Sequence, residues 1–271
     1  MSDKALELLA EPAGLRSFPL PEGLRDLYPG SIGFPEEWLF ANFVSTIDGV
    51  VALPGVTGSN RLIADASEAD RLVMGLLRAC ADIVLIGAGT LRGSPRAVWT
   101  AEAAYPAAAD AFAELRSELG VQAQPAVAIV TSGAAFPADH PILERAPLIL
   151  TTEQAAERLE PLLPKAEVIA VCEGEQVELP AAVDALRARG YGRILSEGGP
   201  HLFGALLAAS LVDELFLTIS PLVAGRPSTA AAVLSLVEGI SLLPDQRVAS
   251  ELHGIRRHGN HLFLRYALAA S

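Results

Sequence analysis

The sequence predicts an α/β fold: a mostly parallel sheet covered by helices on both faces, with an antiparallel hairpin at its C-terminal end. Three observations predict it. Short apolar runs rich in β-branched residues recur along the chain, segments of helical periodicity separate them, and a Gly-Asn pair joins the last two runs. The 271 residues are 51% hydrophobic and 19% charged, which supplies a large core and does not match the composition of a disordered chain.

The first stretch, residues 1–36, holds Pro12, Pro19, Pro21, Pro29 and Pro35 and reads as an irregular arm, with a short helix over Lys4–Ala10. Residues 37–271 show no linker-like break and read as one domain. Its strands are WLFANFV (38–44), DIVLIG (82–87), AVAIVT (126–131), PLILTT (147–152), EVIAVC (167–172), RILSEGG (193–199) and DELFLTIS (213–220). The runs RVASELHGIRR (247–257) and HLFLRYAL (261–268) follow, and Gly259-Asn260 between them suits a two-residue primed turn. Ser67 and Asp70 form a capping-box pattern that opens a helix over Ala69–Ala81. Ala101–Leu119 and Ala181–Arg189 are further helices, the second closed by Gly190.

Charge and composition exclude several classes of function. Twenty Lys and Arg against 32 Asp and Glu give −12, which does not suit a nucleic-acid or anionic-membrane surface. The most apolar stretches, 83–91 and 202–212, are about half the roughly 20 residues that span a bilayer. The N-terminus carries acids and no long apolar core, so it does not read as a secretory signal. Cys80 and Cys172 form no CxxC pair, so no disulfide framework and no metal site is expected. A cytoplasmic protein is the expectation.

Four strand ends carry the candidate chemistry. Gly87-Ala88-Gly89-Thr90 follows one strand, and glycines there let backbone N–H groups approach a phosphate. Ser196-Glu197-Gly198-Gly199-Pro200 follows another, with Pro200 suited to the first turn of a helix. Glu197 then sits where open α/β sheets place their ligand crevice. Ser45-Thr46-Ile47-Asp48-Gly49 and Ser132-Gly133 end two further strands.

Together the motifs FVSTIDG (43–49), LLRACADIVLIGAGTLR (76–92), VTS (130–132), ILSEGGPHLFGALL (194–207) and LVDELFLTISPLVAG (211–225) resemble the reductase domain of the riboflavin-pathway deaminase–reductases and the stand-alone pyrimidine reductases. The resemblance spans residues 38–268 and implies a dihydrofolate-reductase-like, three-layer α/β/α fold. It implies NADPH-dependent reduction of 5-amino-6-(5-phosphoribosylamino)uracil, with hydride passing to C1′ of the opened ribose. Carried over by motif, the cofactor would lie against Val44, Leu62, Gly87, Ala88, Gly89, Thr90, Ser132, Gly198, Gly199, Pro200, His201, Leu202 and Phe203. Asn60, Arg61, Arg78 and Glu197 would face the substrate. Glu197 is the first candidate for the chemical step, as a carboxylate able to stabilise an iminium. Asp48 is the second, as an acid or as a turn-fixing residue.

The chain departs from the family pattern after GAGT, where Ser94 replaces an acid before proline and Ala101 a basic residue. Arg61, Arg92 and Arg96 are then candidates for a substrate phosphate. Two other readings stay open: a reductase of the same fold acting on a dihydropterin or dihydrofolate, and a non-catalytic NADP-binding protein. A homodimer is also expected, because residues 211–225 and the closing hairpin are apolar beyond what a water-facing sheet edge carries.

Overall fold

The computed structural model describes residues 5–133, 136–137, 139–226 and 233–269. Its strands are β1 (Glu7–Ala10), β2 (Trp38–Ser45), β3 (Val50–Ala52), β4 (Ile83–Gly87), β5 (Ala126–Val130), β6 (Leu148–Thr152), β7 (Glu167–Cys172), β8 (Arg193–Ser196), β9 (Glu214–Ile219), β10 (Leu234–Ser235), β11 (Ala249–His258) and β12 (His261–Ala269). Its α-helices are α1 (Glu22–Arg25), α2 (Ser59–Ile63), α3 (Glu68–Cys80), α4 (Ala88–Gly93), α5 (Ala101–Ala104), α6 (Ala109–Glu118), α7 (Glu153–Leu159), α8 (Leu179–Arg187) and α9 (Pro200–Ala208).

Ten strands form one sheet in the order β1-β11-β12-β9-β2-β8-β4-β5-β6-β7. The run from β9 to β7 is parallel throughout, and β12, β11 and β1 join it antiparallel. The expected mixed sheet with a closing hairpin is therefore present. His258 pairs with His261 across the turn, where Gly259 takes a φ of 55°. A second, two-stranded sheet pairs β10 with β3.

Each parallel strand contributes alternate residues to two cores, which is why these strands read as continuous apolar runs. On one face Phe40, Val84, Ile129, Leu195 and Phe216 pack against Leu72, Leu76 and Leu77 of α3. On the other, Leu39, Leu85, Ala128, Ile194 and Leu215 meet α8 and α9 through Leu186, Phe203 and Leu206. Three layers result.

Three expectations are corrected. The helix expected over Lys4–Ala10 is instead a strand from Glu7 to Ala10, paired with β11 at the sheet's end; Lys4 lies outside the described residues. A segment this short is a poor isolated helix, and β11 offers its backbone a ladder. The helix expected over Ala101–Leu119 is broken into α5, a 3₁₀ turn at Pro106–Ala108 and α6. Pro106 has no N–H and disfavours a helical residue before it, so α5 stops at Ala104. Thirdly, β9 is no edge: it lies between β12 and β2, and Leu215, Phe216 and Thr218 are buried within the chain. The apolar character that suggested a dimer is largely used internally.

The arm is tied to the body. Leu6, Leu20, Leu24, Tyr28, Ile32 and Phe34 join the core under α3. Arg256, 1% exposed, donates to the Pro29 carbonyl (2.8 Å) and to Glu11 (2.6 Å), and lies over the Tyr28 ring. Arg265 pairs with buried Glu214 and donates to the Ser31 carbonyl at 3.0 Å. Both arginines come from the closing hairpin.

Candidate active site

The strands that end in the four candidate loops are neighbours. β2, β8, β4 and β5 are consecutive and parallel, so Thr46–Gly49, Glu197–Pro200, Ala88–Thr90 and Thr131–Gly133 all lie along one edge of the sheet. This is the carboxyl-end edge at which open α/β sheets bind ligands.

Two glycine turns face each other there. A Cβ placed on Gly199 would lie 3.7 Å from Thr90 Oγ1. A Cβ on Gly198 would fall 2.5 Å from Leu202 Cδ2 and 3.1 Å from its Cβ, so a side chain there would have to displace Leu202 where α9 turns back on its own loop. Helix α9 begins at Pro200 with no side chain capping it and no acid in its first turn. Ser67, Thr100 and Thr152 cap α3, α5 and α7, whereas α1, α2, α4, α6 and α8 are, like α9, without a side-chain cap. What distinguishes α9 is its place at the strand-end edge, where the N–H groups of His201 and Leu202 have no helical partner, at the positive end of the helix. Pro200 has none to offer. The arrangement suits an anion such as a dinucleotide's diphosphate.

The side chains of this segment divide. His201 is exposed, Leu202 is half-buried, and Phe203 packs against Phe43 with ring centroids 4.8 Å apart. Phe203 thus offers the edge only its backbone. Gly89 and Ser132 are exposed beside it, while Ala88 is buried. Val44 is buried with Val50, Ile63 and Ala64, beneath the short helix α2. Asn60, Arg61 and Leu62 stand exposed on that helix, Leu62 at 58%.

Glu197 and Arg78 come together. Arg78 Nε donates to Glu197 Oε1 at 2.8 Å and Nη2 to Oε2 at 2.6 Å, with both side chains 9% exposed. Arg78 Nη1 donates to the Thr100 carbonyl at 3.1 Å. The two residues expected to face a substrate thus form a two-pronged ion pair, with the guanidinium fixed in turn by backbone. One charge neutralises the other, and the carboxylate is held in one orientation.

The Asp48 carboxylate is bonded within its own turn and to the loop after β9. Thr46 donates its hydroxyl to Asp48 Oδ1 at 2.6 Å, and the N–H groups of Ala224 and Gly225 donate to Oδ1 and Oδ2 at 3.0 and 2.7 Å. The Thr46 hydroxyl first, then the two N–H groups, pull its carboxyl down to about 2. A lowered value means the clamp contributes above the ordinary carboxylate range near pH 4 and is lost as pH falls toward 2. Asp48→Ala is expected to speed hydrogen exchange at the Ala224 and Gly225 amides with a small fall in Tm. Unaltered exchange at both would show that the clamp does not hold in solution.

Four polar residues that the sequence reading did not assign to the site line the same sheet face as Glu197. Asp70 is on α3, half-buried Asn42 is on β2, Thr218 is on β9, and Ser220 follows β9. Asp70 is 5% exposed, and the Thr218 hydroxyl on β9 acts to lower its carboxyl against the effect of burial. A signal was present: Asp70, Val73, Leu77 and Cys80 share one helical stripe, so the acid sits on the apolar side of α3. Its place in a capping box masked this. Only half of that box forms, with Ser67 Oγ accepting from the Asp70 N–H at 3.2 Å.

A family model for the RibD C-terminal domain matches residues 37–260. The chain belongs to the RibD C-terminal domain family. Within it, the chain is 29% identical over 196 residues to a 2,5-diamino-6-ribosylamino-4(3H)-pyrimidinone 5′-phosphate reductase of Archaeoglobus fulgidus, covering 70% of this chain and 84% of the relative. It is 28% identical to the reductase of the same name from Methanothermobacter thermautotrophicus, covering 85% and 98%. Among solved structures, a pyrimidine reductase-like protein from Corynebacterium diphtheriae superposes with a TM-score of 0.66 at 25% identity, covering 87% of this chain and 93% of that one. Like those relatives, this member of the RibD C-terminal domain family is a reductase.

The structure places Ser94 and Ala101, the two positions singled out after GAGT, in packed surroundings. The Ser94 carbonyl accepts from His140 Nε2 at 2.9 Å, and Ala101 is buried in the first turn of α5. Arg61 and Arg96 are exposed near this edge.

Proposed function

We propose that the chain is an NADPH-dependent reductase of the riboflavin pathway. Its substrate would be a 5′-phosphorylated ribosylaminopyrimidine, either 5-amino-6-(5-phosphoribosylamino)uracil or its 2-amino counterpart. The observation that carries this reading is the row of four adjacent strand ends, with an uncapped helix at one loop and a buried ion pair beside it. The names of the relatives support it.

The residues present fit a dinucleotide. The N–H groups of His201 and Leu202 would hold its diphosphate, with Thr90 facing them across the loop, and Ser132 lies within the same edge. When bound, the cofactor supplies the hydride that reduces C1′. The chain's own part is orientation and charge. Arg78 holds the Glu197 carboxylate rigid, and that carboxylate would cancel the guanidinium's charge beside the protonated imine formed from the opened sugar while turning its negative end toward it. Residues 37–271 would form the reductase unit, with 1–36 as an arm locked onto it by Arg256 and Arg265.

The test is direct. The purified chain is mixed with NADPH and each of the two pyrimidines, following loss of reduced-nicotinamide absorbance and the ribitylamino product by mass. Turnover of either supports the reading. Tight NADPH binding with no turnover of either would replace it with the non-catalytic one.

Further parts of the reading concern setting and assembly. Among the described residues no helix is long and apolar enough to cross a membrane. Cys80 and Cys172 are free, which suits a reducing, cytoplasmic compartment. The homodimer would form at the sheet's antiparallel end, where Leu8, Leu9 and Leu252 remain 38%, 47% and 38% exposed. Sedimentation equilibrium at micromolar concentration is expected to give twice the 28.4 kDa chain mass. A species at the single-chain mass, unchanged by NADPH, removes the dimer.

A further inference from the structure

We propose that Asp70 selects the substrate's base, taking a pyrimidine with an amino group at C2 in preference to one with a carbonyl there. The inference rests on the reductase reading and names the substrate class within it.

Asp70 is a buried acid without a cation. It is 5% exposed on the apolar stripe of α3, and among the described residues no basic side chain forms an ion pair with it. The one neighbouring donor that acts on its carboxyl is the Thr218 hydroxyl, and none of the side-chain hydrogen bonds among the described residues ends on an Asp70 oxygen. A carboxylate can accept about four hydrogen bonds, so one hydroxyl leaves most of its capacity unmet. Burial, opposed by the Thr218 hydroxyl and reinforced by the Glu197 charge, pushes its carboxyl up to about 6.

A second buried group lies close in the fold. Ser220 is fully buried, two residues beyond Thr218, and its Oγ has no hydrogen-bond partner. A residue two places on in an extended chain lies on the same face, so this orphan hydroxyl is on Asp70's side of the sheet. A concavity of about 370 Å³ opens at the first turn of α3, between Ser67 and Glu68 on one side and Pro221 and His261 on the other. Buried, under-bonded polar groups beside an opening are what a site shaped for a polar ligand leaves in its absence.

The chemistry of the two pyrimidines then decides between them. In a 2-amino-4-oxopyrimidine the ring N3–H and the C2 amino group are adjacent donors, matching the two oxygens of a carboxylate. In the uracil counterpart C2 carries an oxygen, which would face the carboxylate acceptor to acceptor. The discrimination sought is at least about tenfold, within what a buried hydrogen-bonding site achieves.

Binding tests this apart from turnover. The NADPH-loaded protein is titrated with 2,5,6-triaminopyrimidin-4-one and with 5,6-diaminouracil. The parent is expected to bind the first at least about tenfold more tightly. Asp70→Asn offers an NH₂ to the C2 oxygen, so the ratio is expected to fall to near one or invert. The variant keeps the side chain's volume and removes a buried charge, so its Tm at pH 8 is expected to match or exceed the parent's. A parent that favours the uracil overturns the proposal. So does an Asp70→Asn variant, folded by its Tm, that retains the parent's ratio. Loss of turnover on both phosphorylated pyrimidines with the binding ratio intact would instead overturn the reductase reading and leave the base preference standing.

Discussion

Glu197→Gln is expected to lower kcat/KM for the phosphorylated pyrimidine by roughly 10²-fold or more while leaving NADPH affinity nearly unchanged. The ion pair sets the size of the effect. In the parent, the Glu197 carboxylate cancels the Arg78 guanidinium that grips it through two hydrogen bonds. Glutamine keeps the shape and one acceptor but leaves the guanidinium uncompensated beside a carbon that is cationic before hydride arrives. Two like charges about 6 Å apart at an effective dielectric near 20 repel by about 2–3 kcal/mol, roughly a hundredfold in rate. The same change costs stability, because a buried pair loses one partner, and a lowered Tm should accompany the kinetic loss. The two effects separate in the assay. A folded variant saturated with NADPH that turns over at the parental rate removes Glu197 from the chemistry. A loss seen only in NADPH binding would move the residue to the cofactor side.

The motifs that determine the site's frame were readable because they are backbone chemistry. Glycines after a strand, a proline opening a helix and an Asp-Gly turn keep their meaning wherever tertiary contacts place them. Alternation of strand and helix was enough to align their four loops, because parallel strands send their carboxyl ends to one edge. What the sequence concealed is pairwise. Arg78 and Glu197 are 119 positions apart, and nothing in either neighbourhood says that each is the other's partner. Asp48 reads as an acid or a clamp in its own neighbourhood, and the N–H groups of Ala224 and Gly225 that bond its carboxylate lie 176 and 177 positions away. Asp70 had two local meanings, a cap residue and a misplaced acid on an apolar stripe, and the first concealed the second.

The errors in the fold have the same origin. Glu7–Ala10 became a strand because β11 was available to pair with it, a contact across some 250 residues. The reading of β9 as an apolar edge failed because the hairpin after it folds back and covers that edge. In contrast, the break in the Ala101–Leu119 segment was visible in Pro106 and needed no tertiary information.

Gly199→Asp is expected to weaken NADPH binding by roughly 10- to 100-fold without unfolding the protein. Gly199 is the N-cap of α9, with an ordinary φ of −69° and room for a side chain, since the nearest atom to an added Cβ is Thr90 Oγ1 at 3.7 Å. Aspartate is among the best N-cap residues, and capping a bare helix end is typically worth about 1 kcal/mol. The variant should therefore melt at or slightly above the parent temperature. The group that stabilises the helix is also the one that excludes the ligand. Its carboxylate accepts from the first-turn N–H groups and brings a negative charge to the end of the dipole that a diphosphate would use. Gly199→Asn separates the two effects: it caps the same N–H groups without the charge, and its affinity should fall between those of parent and aspartate variant. A parental Kd for NADPH in the aspartate variant, with Tm unchanged or raised, would show that the diphosphate does not bind at α9.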